Sequence, residues 1–99
     1  MNSLSSIALS GLQAASQQAQ ASAHNIANSQ TPDFRRELVR QNANAEGGVE
    51  TTAVRAAQPG AALEEDVVGQ MQARNAYLAN LQVFRSADRM AGALLDVRA

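Results

Sequence analysis

Few side chains in this sequence could do chemistry. His24 is the only histidine and there is no cysteine. A catalytic base or metal ligand needs company: a nucleophile, an orienting carboxylate or further donors. No Ser-His-Asp set and no glycine-rich phosphate loop accompanies it, so His24 reads as a solvent-facing or interface residue. Glu64, Glu65 and Asp66 form an acidic triplet that could in principle hold a divalent cation. Three consecutive positions splay around a helix instead of converging, so they read as first-turn carboxylates favoured by the helix dipole. Arg35, Arg36, Arg40 and Arg55 give the middle of the chain a basic edge. Without interleaved aromatics that edge reads as protection and solvation of a ribbon, not as a nucleic-acid surface. These residues predict no catalysis, no cofactor and no metal.

The elements that must position them follow from composition. A chain of 99 residues supports one small domain. With 45% hydrophobic but only 3% aromatic residues, its apolar content is mostly Ala, Leu and Val, so large hydrophobic area is scarce and a monomer should be marginal. A net charge of -1 gives no global attraction to nucleic acid or anionic lipid. No run approaches the roughly 18 apolar residues of a membrane span, and the N-terminal residues lack the basic flank of a cleavable signal, which predicts that the general secretory pathway is not used.

The charges are distributed unevenly. Residues 1–32 contain no Asp, Glu, Lys or Arg, and all formal charge lies at or beyond Asp33. Over residues 4–28 small and apolar residues recur at helical spacing. Leu4, Ala8, Gly11, Leu12, Ala15, Ala19, Ser22, Ala23 and Ile26 fall in one sector, with Ser6, Ser10, Gln13, Gln17, Gln20, His24 and Asn28 opposite. Only Leu4, Leu12 and Ile26 bring large side chains to this stripe, and at roughly 1.5–3 kcal/mol each they offset only part of a backbone ordering cost of about 1–2 kcal/mol per residue. The helix needs a partner. A face buried only on one side has no reason to exclude charge from the other, whereas a helix surrounded by neighbours avoids desolvating ions.

Pro32 removes an amide hydrogen and biases Thr31 away from the α region, ending this helix near Asn28 or Ser29. Residues 34–41 and 49–56 read as a weak β-hairpin or extended ribbon around the Gly47-Gly48 pair, with a flexible linker as the alternative. Pro59-Gly60 marks the next boundary. Residues 62–97 read as a long helix with Arg98 at its C-terminal end. Its expected seam is Val67, Met71, Arg74, Leu78, Leu81, Phe84, Asp88, Ala91 and Leu95, advancing by threes and fours. The expected fold is therefore mainly α: a coiled-coil hairpin of two long terminal helices joined by a ribbon. Its parts are residues 1–32 (helix and Thr-Pro stop), 33–60 (ribbon or linker) and 61–99 (second helix), in one domain overall. The helix-pair seam is expected to draw on Leu4, Leu12, Val67, Met71, Leu78, Leu81, Phe84 and Leu95.

The run Asn25-Ile26-Ala27-Asn28, followed by Thr31-Pro32 and Phe34, resembles the N-terminal signature of bacterial flagellar axial proteins, the rod, hook and hook-associated family. There the run is typically Asn-Ile-Ala-Asn, two residues, then Thr-Pro-Gly-Phe. Ser10-Gly11-Leu12, Gly47-Gly48-Val49 and the tail from Ala76-Tyr77-Leu78-Ala79-Asn80 to Ser86-Ala87-Asp88-Arg89-Met90 are similar to further segments of that family. Asp33 stands where the family has Gly, and His24 where it often has Asn.

The resemblance implies a short rod-type subunit of the flagellar basal body, exported unfolded through the flagellar type III apparatus. Its terminal helices would pair and pack with other rod or hook subunits and with copies of itself, in the periplasm-spanning rod. Asn25, Ile26, Ala27, Asn28, Thr31, Pro32 and Phe34 would form the assembly motif that sets the exit angle from the first helix. Neither nucleic acid nor membrane insertion is expected. The alternatives are a soluble helical adaptor or export regulator that never polymerises, and a membrane-surface amphipathic protein, which the missing basic residues disfavour.

Overall fold

The computed structural model describes residues 4–98, with side chains through residue 95; the side chain of Arg98 lies outside the described residues. The chain folds as α1 (Leu4–Ala27), β1 (Glu37–Ala43), β2 (Val49–Arg55) and α2 (Leu63–Arg98). The two helices pack together and the strands form an antiparallel hairpin in which Glu37 pairs with Arg55 and Ala43 with Val49. Overall dimensions are 62 × 24 × 14 Å, because α2 alone runs about 54 Å at roughly 1.5 Å per residue.

The first helix stops as the Thr-Pro pair requires. Asn28 caps it, its Nδ2 donating to His24 O at 2.9 Å and its Oδ1 accepting from Thr31 Oγ1 at 3.1 Å. Residues 31–34 then form a turn closed by Phe34 N donating to Thr31 O at 3.4 Å. Asp33 has a φ of 59°, so with Pro32 before it the turn follows the type II pattern that normally calls for glycine. Asx side chains tolerate this left-handed region best among residues with a Cβ. At the hairpin tip Gly47 and Gly48 supply φ of 98° and 90°, and Asn44 N donates to Gly48 O.

α1 is the middle layer. Its buried residues are Ala8, Leu12, Ala14, Ala15, Ala21, Ser22 and Asn25; Ser22 meets Gly69 of α2, and Asn25 reaches both the hairpin root and α2. The hairpin is bonded along α1 at three levels. Val49 N donates to Ser10 Oγ at 3.0 Å, Thr51 Oγ1 donates to Gln17 Oε1, and Asn25 grips Glu37. Part of the uncharged polar face, expected to meet neighbouring subunits, is thus used inside the chain: Ser10 and Gln17 fasten the hairpin, while Ser6, Gln13, Gln20 and His24 stay exposed.

The expected helix-pair seam needs correction on α2. Val67, Met71, Leu78 and Leu95 are exposed, as is Leu4 on α1; Leu81 and Phe84 are half-buried, and only Leu12 of that set is buried. The side of α2 that faces α1 is instead Asp66, Gly69, Ala73, Asn80, Phe84 and Ala87, roughly one residue, or 100°, around the helix. The reason is steric. Gly11 leaves room for the Asn80 side chain, which a Cβ there would strike at 2.3 Å, and Gly69 leaves room for Ser22. Backbones that approach this closely select small residues and turn the large ones outward.

Candidate functional site

The motif at residues 25–34 occupies one corner of the molecule, where the end of α1, the hairpin root and the start of α2 meet. Asn25 is 3% exposed. Its Oδ1 accepts from Glu37 N at 2.8 Å, and its Nδ2 donates to Glu37 O at 2.9 Å and to Asp66 Oδ1 at 3.4 Å. A side-chain amide carries one acceptor and two donors, so it can satisfy both backbone groups of the first ladder residue at once.

Arg36 completes the cluster. Its Nε donates to Asp66 Oδ2 at 3.1 Å and its Nη2 to Asp66 Oδ1, a forked contact of the stronger, charge-assisted kind. Glu65 Oε2 lies 3.8 Å from Arg36 Nη1 but is solvent-exposed. The hydrogen bond to Asp66 raises the Arg36 pKa above its ordinary value; burial opposes this, and the Asp66 and Glu65 charges add to the rise. The guanidinium is therefore charged at any working pH. Every buried side-chain nitrogen or oxygen among the described residues has a partner, which is what such an ion cluster needs if burial is not to be costly.

The other motif residues sit around this cluster. Ile26 is half-buried, Ala27 ends α1 at the surface, Thr31 and Pro32 lie in the exposed turn, and Phe34 is half-buried. The Phe34 ring stands edge-on to His24, with centroids 5.4 Å apart, and the Arg55 guanidinium lies 5.9 Å from the Phe34 centroid. His24 thus serves as a packing partner. Among the described residues no three His, Asp or Glu side chains converge as a metal site would require. No described helix is long and apolar enough to cross a membrane.

Two assignments made from sequence change here. Asp66 lies in the first turn of α2 with Glu64 and Glu65, as expected, but it is 4% exposed and bound to Arg36. Arg36 in turn does not protect the ribbon edge, while Arg35, Arg40 and Arg55 remain exposed. The two partners are 30 positions apart, so no local spacing signals the pair. The one available hint is that Asp66 lies three residues before Gly69 and seven before Ala73, the rhythm of a helix-facing stripe.

The second feature of the surface is what the fold leaves outside. Val67, Met71 and Leu78 form an outward apolar stripe on α2, with Met71 62% and Leu78 50% exposed. Gly11 opposite Asn80, Ser22 opposite Gly69 and Asn25 opposite Asp66 set a register in which Leu4 is level with Ala87. Beyond that level α2 continues with Met90, Leu94 and Leu95 exposed. Comparison of the sequence with protein-family models and with curated proteins finds no match to either.

Proposed function

We propose that this chain is a structural subunit of the bacterial flagellar basal-body rod, or of a rod-like accessory, exported unfolded and stabilised by its neighbours after assembly. One observation carries the reading. The buried core among the described residues is five alanines and Leu12, while thirteen large hydrophobic side chains are exposed. Apolar area left out on this scale marks surfaces that belong to an interface. The exposed stripe at Val67, Met71 and Leu78 and the exposed Met90, Leu94 and Leu95 supply two such surfaces on different sides of α2, as a subunit with neighbours in more than one direction requires. The likeness of residues 25–34 to the axial-protein signature supplies the location. A chain with so thin a core can pass a narrow export channel unfolded and recover stability by mass action once its copies meet. No chemistry is catalysed in this reading.

The test is quantitative mass spectrometry of isolated hook and basal-body complexes from the native bacterium. A reproducible copy number near that of the established rod subunits supports the proposal. Absence from the complexes, with the protein abundant in the cytoplasm, overturns it. That outcome would favour the second reading, a helical adaptor or export regulator, for which the fully satisfied polar cluster at Asn25, Arg36 and Asp66 speaks, since it equips the single chain to fold by itself.

A further inference from the structure

Many of the contacts between α1 and α2 are made by small, nearly interchangeable residues. Ala8, Ala15 and Ser22 recur every seven positions on α1, and Gly69 and Ala76 do the same on α2. Sliding α2 by one heptad, about 10.5 Å at roughly 1.5 Å per residue, would bring Ala76 opposite Ser22 and Ala73 opposite Asn25, again small against small. These small residues distinguish the registers poorly, and the contact that does not transfer is Asn80 over Gly11, which the slip would set against Gln18. We propose that Asn25, Arg36 and Asp66 form a register lock: the cluster selects one antiparallel register for the helix pair and makes docking of the hairpin root conditional on it.

The geometry assigns each residue a part. Asn25 fixes the hairpin root to α1 through both backbone groups of Glu37. Arg36, one residue earlier, is thereby held at a set height along α1, and its fork meets Asp66 on α2. One carboxylate thus reads the position of two other elements. In the slipped register Asp66 would be withdrawn from Arg36, and α1 has no cation to offer in its place, because residues 1–32 carry no charge. A helix without Lys or Arg offers Asp66 no substitute partner along α1, much as a single buried polar residue sets register in a coiled coil. Leaving this pair unmatched disfavours the slipped register by about a hundredfold or more. The inference does not depend on the rod assignment, since it concerns the pairing of helices within one chain.

Because the chain has no cysteine, introduced thiol pairs report register cleanly. A Cβ at Gly69 lies 3.2 Å from Ser22 Oγ, so Ser22→Cys with Gly69→Cys reports the observed register, and Ser22→Cys with Ala76→Cys reports the slipped one. Each pair is oxidised mildly in dilute protein, in a stabilising osmolyte, and intramolecular closure is scored by mass. With the cluster intact, the first pair closes and the second closes about a hundredfold more slowly. With Asn80→Ala in both backgrounds to remove the Gly11 contact, adding Arg36→Met and Asp66→Leu retains helicity and brings the two rates within about tenfold of each other. Any of three results overturns the proposal: both pairs closing readily with the cluster intact, exclusive closure of the first pair without it, or loss of helicity in the double substitution. The last would make the cluster a source of stability instead of register.

Discussion

Replacing Asn25 by Asp changes one amide nitrogen to oxygen and leaves the volume unchanged. The acceptor toward Glu37 N survives. The donor does not: an oxygen now faces Glu37 O, at 2.9 Å in the native contact, and Asp66 Oδ1, at 3.4 Å. A buried carbonyl deprived of its donor costs about 1–3 kcal/mol. Two carboxylates roughly 4 Å apart repel by about 4 kcal/mol at an effective dielectric near 20. Neutralising the new group at pH 7 costs a similar amount, about three pKa units at roughly 1.4 kcal/mol each, so neither route escapes the penalty. Attraction to Arg36 returns part of it, and the expected net loss is about 3–5 kcal/mol at pH 7.

The introduced carboxyl should have its pKa raised in the folded state, and a raised pKa fixes the sign. Relative stability is full below about pH 4, where the group is protonated in both states and its hydroxyl can donate in place of the amide. It is lost as pH rises through the folded-state value. The assay is urea unfolding of both proteins in a stabilising osmolyte, followed by far-ultraviolet circular dichroism at several pH values, taking the difference from wild type at each. A difference below about 1 kcal/mol at pH 7, or one that does not shrink toward acid, refutes the placement of Asn25 in the cluster.

Gly11→Ala gains about 1 kcal/mol of helix propensity but meets Asn80 at 2.3 Å, so alone it should destabilise by up to about 2 kcal/mol. Asn80→Ala should rescue it, a coupling that a double-mutant cycle of melting curves would reveal. Leu12→Ala removes the one large apolar side chain buried among the described residues and should cost about 2–4 kcal/mol in urea unfolding. Gly48→Ala combines a φ of 90° with a Cβ 2.9 Å from Ser10 Oγ, and should release the hairpin tip, raising amide exchange at Val49 while the helices persist. Leu78→Asp alters an exposed position and should leave monomer helicity unchanged while abolishing incorporation into the rod, read by tagging the chain and isolating basal bodies.

The punctuation of this fold was open to reading from the sequence because it rests on local stereochemistry. Pro32 and Pro59 restrict the backbone wherever they occur, Gly47, Gly48 and Gly60 admit the positive φ that turns need, and the observed elements begin and end near them. The face that α2 turns inward was not legible in the same way. The reading assigned Val67, Met71 and Leu78 to the core because large apolar side chains normally gain most from burial. Gly11 and Gly69 reverse that preference by letting the helices come close enough that only small residues fit between them. The cluster at the candidate site was half visible. Asn25 stood out through its motif, but Arg36 and Asp66 each had an adequate local explanation, one as an edge charge and the other as a dipole-favoured carboxylate. Only the hairpin, by folding back along α1, reveals that they are partners.

The central claim is that this chain leaves its large apolar surfaces for neighbours and depends on them for stability. Sedimentation velocity combined with circular dichroism on the purified protein, across a wide range of concentration, tests it most directly. The account predicts that mass and helicity rise together with concentration, from a poorly helical small species to large assemblies, and that Leu78→Asp suppresses both. A monodisperse species, fully helical at the lowest concentration and melting in one steep transition, would contradict it.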